Sequence, residues 1–154
     1  MGRVEKSIEI EASPEKVWEM IALDRVIEWE EGWKGELKSI EYTSEVRKPK
    51  DKLRAGATAH GIPKKQRESV KFDLEITESL ENEKMMYCLD VGKFSVMVTY
   101  NLEPIEDGTK FTYAVDYEMP WSILGKIIEK TYYHRHMEKE YERSLKNFKS
   151  ILEK

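Results

Sequence analysis

The residues best suited to chemistry lie near the C-terminal end of the chain, at helical spacing. Four polar side chains follow one another there in steps of three or four, so a helix would place them on one face. They are Thr131, His134, Glu138 and Tyr141. A histidine and a glutamate four residues apart can form a hydrogen bond, and in an apolar cavity such a pair could act as general acid or base. The candidate catalytic residues are therefore His134, Glu138 and Tyr141.

The element that must position these side chains is a long helix over residues 121–153. This segment has no proline and, after Gly125, no glycine. Its stripe is apolar at both ends and polar at its centre, which predicts a cavity under the centre. Two alternatives stay open: the polar groups meet solvent, or a small rotation of the helix turns Arg135 inward in place of His134. The apolar positions of the stripe are Leu124, Ile127, Leu145, Phe148 and Leu152.

The composition bounds the class of protein. With 154 residues, of which 40% are hydrophobic, the chain is long enough for one domain with a core, expected over residues 1–154. A net charge of −4 argues against nucleic-acid binding. No stretch approaches the ~20 apolar residues that a membrane span needs. We therefore expect a cytoplasmic protein, and the excess of Glu and Lys over Gln and Asn fits a thermophilic source.

The chain carries no pattern typical of a metal or cofactor site. His134 and His136 would lie on different faces of a helix, and His136 with Glu140 supplies only two ligands. There is no phosphate loop and no dinucleotide fingerprint, so no metal and no cofactor is expected. Cys88 is the single cysteine and cannot form an internal disulfide. We interpret it as a buried, inert thiol.

Alternating apolar and polar residues predict a mainly antiparallel sheet before the long helix. Ser13 and Pro14 have the residue types of an N-cap and a first helical position, so a short helix follows the first strand, and a second spans about 24–29. Strand, two short helices, six strands and a long helix make an α+β fold. The predicted strands are 4–11, 35–44, 54–62, 69–79, 84–91, 94–103 and 109–119.

Several short motifs carry a resemblance to known proteins. Residues 8–18 read I-E-I-E-A-S-P-E-K-V-W, and Asp24 and Trp29 follow. Residues 102–104 read L-E-P, and 107–109 read D-G-T. In these motifs the chain resembles the START-like, helix-grip superfamily (SRPBCC), which includes polyketide cyclase/dehydrase-like and pollen-allergen-like proteins. The resemblance implies a curved sheet of about seven strands wrapped round the C-terminal helix, with a ligand cavity between them.

The inward faces of the strands and of the long helix give the expected cavity wall. Apolar side chains would bury the ligand and a few polar ones would orient it. Several inward tyrosines favour a cavity with polar features, although each hydroxyl could instead bond a backbone carbonyl. The predicted ligand-binding residues are Phe72, Leu74, Val98, Tyr100, Tyr113, Tyr117, Ile127, Thr131, His134 and Glu138.

The resemblance also implies a cavity mouth, formed by three loops at one end of the sheet. These loops mix apolar side chains with lysines, which suits an amphiphilic ligand with an anionic end or brief docking to an anionic membrane. Ordinary solvated lysines are the alternative. The residues expected at the mouth are Ile62, Lys64, Lys65, Phe94, Trp121 and Ile123.

Three functions remain open from the sequence. The favoured one is binding or transport of a small hydrophobic or amphiphilic ligand, such as a lipid, a polyketide or an aromatic compound. The first alternative is a polyketide cyclase/dehydratase-type enzyme, with His134 or Glu138 moving protons and Tyr113 or Tyr141 polarising a carbonyl. The second is a co-chaperone-like protein-interaction module, which would have a filled interior and an exposed apolar patch. Ligand identity and oligomeric state are left open.

Overall fold

A computed structural model describes residues 2–32, 37–64, 72–90, 95–117 and 127–154 of the chain, with the side chains of the last range described from residue 135 onward. Seven strands form one antiparallel sheet in the order β1-β7-β6-β5-β4-β3-β2. The strands are β1 (Gly2–Ile10), β2 (Leu37–Tyr42), β3 (Thr58–Pro63), β4 (Asp73–Leu80), β5 (Lys84–Asp90), β6 (Ser95–Ile105) and β7 (Gly108–Tyr117).

Within the described ranges, helices α1 (Pro14–Met20) and α2 (Ile127–Leu152) accompany the sheet. The predicted cap of α1 is confirmed, since the Ser13 hydroxyl accepts a hydrogen bond from the backbone N–H of Lys16 at 3.4 Å. The α+β helix-grip architecture expected from the sequence is therefore present. Of the helices that the described residues form, none combines the length and the apolar character needed to cross a membrane.

The second short helix expected over about 24–29 is present as a 3-10 helix at Val26–Glu28. One local expectation needs correction. Cys88 is half-buried rather than buried, because its neighbours Tyr87 and Leu89 take the inward positions of β5 and an alternating strand turns Cys88 to the other face.

The register of the sheet produces rows of inward side chains that cross several strands. In two rows Tyr100 pairs with Tyr113 and Leu102 pairs with Phe111; we call these the aromatic rows. Nearer the start of β1 the inward residues are mainly aliphatic: Val98 pairs with Val115, and Leu89 pairs with Val96. Tyr87 and Tyr117 lie in the same two rows, which we call the aliphatic rows. Because Leu74 pairs with Leu89, the aliphatic rows extend to β4.

Helix α2 lies along β1 and runs in the same direction. The Lys6 ammonium lies 3.1 Å from the Glu142 carboxylate, and the Lys149 ammonium donates to the Glu9 carbonyl at 2.6 Å. The C-terminal half of α2 therefore covers the aromatic rows. Since a helix rises about 1.5 Å per residue, its first two turns extend toward the Gly2 end, where the aliphatic rows lie.

Candidate functional site

A carboxyl group lies in the core between the sheet and α2. Glu30 is 1% exposed. One of its oxygens accepts a hydrogen bond from the Tyr113 hydroxyl, and the other lies 2.9 Å from the Ser144 hydroxyl. The carboxyl thus joins the segment before β2, strand β7 and helix α2. A buried ionisable group with partners from three elements is the most unusual chemical feature of the described interior.

Burial changes the proton affinity of this carboxyl. Loss of water raises the pKa of Glu30 to about 7, against the lowering effect of the Tyr113 and Ser144 hydrogen bonds. The nearby carboxylate of Glu140 raises it further. Desolvation also raises the pKa of the Tyr113 phenol, which therefore stays a neutral donor near pH 7. The carboxyl is consequently poised to hold or release a proton at neutral pH.

The segment that carries Glu30 is fixed by backbone and side-chain hydrogen bonds. After the 3-10 turn, the Glu30 N–H donates to the Val26 carbonyl at 2.9 Å. The Ser144 hydroxyl accepts the Glu31 N–H at 3.0 Å, and the Asn147 amide donates to the Trp29 carbonyl at 3.3 Å. Helix α2 therefore grips this segment through two polar side chains that lie three residues apart on one face.

An aromatic cluster surrounds the carboxyl. The Trp29 indole is fully buried, and its N–H donates to the Met20 carbonyl at 3.2 Å. Its ring centroid lies 4.5 Å from that of Phe148 and 5.8 to 6.2 Å from those of the inward rings of β6 and β7. The cluster fills the space between the aromatic rows and the C-terminal half of α2. Those inward rings are Tyr100, Phe111 and Tyr113.

The hydroxyls of two inward tyrosines form a hydrogen bond with each other. The hydroxyls of Tyr87 and Tyr100 lie 2.8 Å apart, and both side chains are fully buried. The Tyr113 hydroxyl donates to Glu30. The hydroxyls of Tyr100 and Tyr113 thus bond polar side chains. The result is a polar line at the boundary between the aromatic and the aliphatic rows.

The strand residues predicted to bind ligand all lie on or beside the buried face of the sheet. Leu74, Val98, Tyr100, Tyr113 and Tyr117 are each at most 4% exposed. Phe72 is partly buried against the same core. Four of these six belong to the aliphatic rows or their edge, and the two tyrosines at 100 and 113 belong to the aromatic rows.

The helical candidates divide into residues whose side chains the structure describes and residues of which it describes the backbone alone. Tyr141 is half-buried and its ring stacks on that of Tyr113 at 4.8 Å. The Glu138 side chain is 38% exposed, and its carboxylate lies 3.7 Å from the Lys6 ammonium at the edge of the sheet. Arg135, the alternative to His134, is exposed. Ile127, Thr131 and His134 lie in the first turns of α2, where the structure describes the backbone alone.

At the expected mouth, the structure describes two of the six predicted residues. Ile62 is half-buried and Lys64 is exposed, both at the end of β3. Lys65, Phe94, Trp121 and Ile123 lie outside the described residues. The mouth itself therefore stays a prediction.

Sequence reasoning missed Glu30 and Ser144. Glu30 follows Trp29 in an acidic run, W-E-E, where a glutamate would ordinarily be solvated. A signal was nonetheless available for Ser144, since it lies four residues before Phe148 and three after Tyr141 on the apolar face. A small polar residue within such a face is a reason to search for a buried partner.

Glu30 and its two hydroxyl partners form a buried group that can hold a proton. No group of three or more His, Cys, Asp or Glu side chains within the described ranges is arranged to hold a metal ion.

Comparison with known proteins agrees with this architecture. The chain matches the family model described as polyketide cyclase / dehydrase and lipid transport over residues 1–153. No curated protein matches the chain.

Among solved structures, TTHA0849 from Thermus thermophilus is 20% identical, with a TM-score of 0.66 and coverage of 97% of this chain and 95% of that one. The Aha1 dimer of Colwellia psychrerythraea is 16% identical, with a TM-score of 0.62 and coverage of 99% and 97%. DynU16, from the dynemicin biosynthetic locus, is 14% identical, with a TM-score of 0.61; the match covers 98% of this chain and 47% of DynU16. These likenesses concern the fold. On the family match and the helix-grip architecture together, the chain belongs to the polyketide cyclase/dehydrase and lipid transport family.

Proposed function

We propose that this protein binds and carries a small hydrophobic or amphiphilic molecule, such as a lipid, a polyketide or an aromatic compound, between the sheet and α2. The observation that supports this most directly is the line of buried hydroxyls and one carboxyl that crosses an otherwise apolar interior. Binding sites for small molecules combine an apolar wall with a few polar groups that fix orientation. The family description is consistent with such a role.

We place the ligand over the aliphatic rows, beneath the first turns of α2. The aromatic rows are occupied by the cluster around Trp29, whereas the aliphatic rows carry Val98 and Leu74. In this proposal Ile127, Thr131 and His134 contribute the opposite wall. The polar end of the ligand would face the hydroxyl pair of β5 and β6, and entry would take place at the predicted mouth.

Native mass spectrometry of the purified protein tests this proposal, together with organic extraction and thermal-shift measurement against a panel of fatty acids and polyphenols. A bound molecule, or a shift with the panel, is the expected result. Two matched substitutions locate the site on α2: Thr131→Trp would fill the proposed wall, and Lys139→Trp adds the same indole at an exposed position. Loss of binding in both variants, or in neither, would contradict the proposed location.

An acid–base enzyme of the cyclase/dehydratase kind is the second candidate, and one observation favours it. Glu30 has a pKa of about 7 and lies beside Tyr113. The helical spacing favours Glu138 for this role, but Glu138 is salt-bridged to Lys6 at the partly exposed edge. Within this alternative, Glu30 is therefore the better proton carrier. Turnover of a poly-β-ketone substrate analogue that is lost in Glu30→Gln would favour the enzyme over the carrier.

A protein-interaction module has less support. It would expose a continuous apolar patch, whereas the large hydrophobic side chains exposed among the described residues are Val46 at 37% and Leu80 at 50%, in separate segments. The two residues follow β2 and end β4, respectively. Recovery of one stoichiometric protein partner, with no small molecule bound to the purified chain, would favour this third candidate.

A further inference from the structure

We propose that a surface cleft beside α1 is a second binding site, which takes a small zwitterionic amphiphile with an apolar body and opposite charges at its two ends. The cleft lies outside the helix–sheet interior. The inference therefore goes beyond the proposed carrier function and does not depend on it.

Three elements enclose the cleft: α1, residues 49–55 after β2, and the turn between β4 and β5. Its volume is about 520 Å³. Sites for small molecules typically enclose roughly 300–1,000 Å³, so the cleft is large enough for an alkyl chain or a ring system with polar ends.

The floor of the cleft is apolar and continuous with the core. Trp18, from α1, is 5% exposed and belongs to the central cluster of buried side chains. Leu53 is partly buried against the same cluster. Because both residues are held by core packing, the floor keeps its shape without a ligand.

The walls are also fixed before any ligand arrives. The Ser79 hydroxyl donates to the Leu53 carbonyl at 2.6 Å, which joins the β4–β5 side of the cleft to residues 49–55. The Gly56 N–H donates to the Ile76 carbonyl at 2.7 Å. A preformed cleft loses little conformational entropy when it is filled, so more of the contact energy appears as affinity.

The rim carries charges of both signs on different walls. Glu15 and Glu19 lie one turn apart on α1, Lys50 and Arg54 lie on the wall formed by residues 49–55, and Glu81 adds a carboxylate on the β4–β5 turn. None of these five side chains forms an ion pair with another residue that the structure describes, and the Arg54 guanidinium helps to lower the pKa of the neighbouring Asp51 carboxyl. Carboxylates on one wall and cations on another match a ligand whose apolar body separates a cationic end from an anionic end.

Isothermal titration calorimetry with ω-aminododecanoic acid tests the charge requirement. Dodecanoic acid and dodecylamine are matched controls, because each keeps the alkyl chain and only one charged end. We compare only the binding that is lost when Ala55→Trp fills the cleft, because dodecanoic acid can also enter the proposed interior site. At low salt we expect this component to be roughly fivefold tighter for the zwitterion than for either control, since the zwitterion alone makes both charge-assisted contacts. Equal affinity of all three compounds in this component would overturn the proposal.

Two variants locate the binding. Ala55→Trp fills the cleft from an exposed position, and Arg54→Glu reverses one rim charge. We expect Ala55→Trp to abolish binding of the probe and Arg54→Glu to weaken it roughly fivefold, whereas Lys110→Glu, an exposed control on β7, leaves it unchanged. Unchanged binding in Arg54→Glu would overturn the proposal even if Ala55→Trp failed to fold.

The same variants separate this inference from the interior site. Binding of the fatty acid and polyphenol panel in the interior should be the same in Arg54→Glu as in the unmodified protein. Loss of the zwitterion with retention of the panel ligand supports two sites. Parallel loss of both would overturn the second site. The carrier proposal is tested separately, by Thr131→Trp and Lys139→Trp.

Discussion

The two halves of the interior differ in the type of side chain that fills them. Under the C-terminal half of α2, the aromatic rows pack around Trp29 and enclose the Glu30 carboxyl. Toward the start of α2, the aliphatic rows carry Val96, Val98 and Leu89. Hydrogen bonds and stacked rings hold the aromatic half in one arrangement, whereas aliphatic side chains impose no directional contact. The aromatic half therefore anchors the helix, and an adaptable apolar surface lies in the other half.

The largest expected effect comes from the centre of the aromatic half. Trp29→Ala removes a fully buried indole and the hydrogen bond to the Met20 carbonyl, so we expect a loss of about 3–5 kcal/mol in the free energy of unfolding. Urea denaturation followed by circular dichroism measures it. Val98→Ala, in the aliphatic half, is the control and should destabilise less. An equal loss in both variants would show that the two halves contribute equally to stability.

The pH dependence of stability tests the anchored carboxyl. The folded-state pKa of Glu30, about 7, lies above its ordinary value of 4.5, so the folded protein holds this proton more tightly than the unfolded chain. The stabilisation is complete below about pH 4.5 and is lost as the pH rises through about 7, which amounts to on the order of 3 kcal/mol.

Glu30→Gln supplies the matched control for this pH profile, because the amide keeps the shape of the protonated acid and does not titrate. We expect the variant to lose most of the decline in unfolding free energy between about pH 5 and 8. The half-buried Glu140, whose pKa burial also raises, contributes a decline of the same sign in both proteins. Identical profiles would show that Glu30 does not carry the proton.

Removing one hydroxyl should have a smaller effect. Tyr113→Phe deletes the donor to Glu30 and leaves a buried acceptor with one partner fewer, so we expect a loss of about 1–3 kcal/mol in unfolding free energy near neutral pH. Because that hydrogen bond lowers the pKa of Glu30, its removal should also shift the decline in unfolding free energy to higher pH. A stability loss with an unmoved pH profile would contradict the assigned contact.

The smallest effect is expected at the edge of the sheet. Lys6→Ala breaks the partly exposed ion pairs with Glu138 and Glu142, and water screens such pairs. We expect no change in the urea midpoint beyond experimental error, and no change in ligand binding. A clear loss of ligand binding would indicate that Glu138 belongs to the binding site and that the edge of the sheet contributes to binding as the interior does.

Much of the fold could be predicted because its signals are local. Alternation along the strands was enough to assign Leu74, Val98 and Tyr113 to the inward faces, and Ser13 with Pro14 marked the start of α1. The site was harder. A helical spacing identified the face of α2 only to within about one residue position, so Glu138 lies at its exposed margin while Met137, one position earlier, is 7% exposed.

The order of the main elements and the apolar face of each could be predicted from the sequence, because periodicity and caps depend on neighbours along the chain. The burial of Glu30 and its contacts with Tyr113 and Ser144 depend on tertiary folding, because the two partners lie 83 and 114 positions away in the sequence. Sequence spacing carries no information about such a meeting. The proton affinity of a carboxyl depends on the water, hydroxyls and charges around it, and folding alone brings those together.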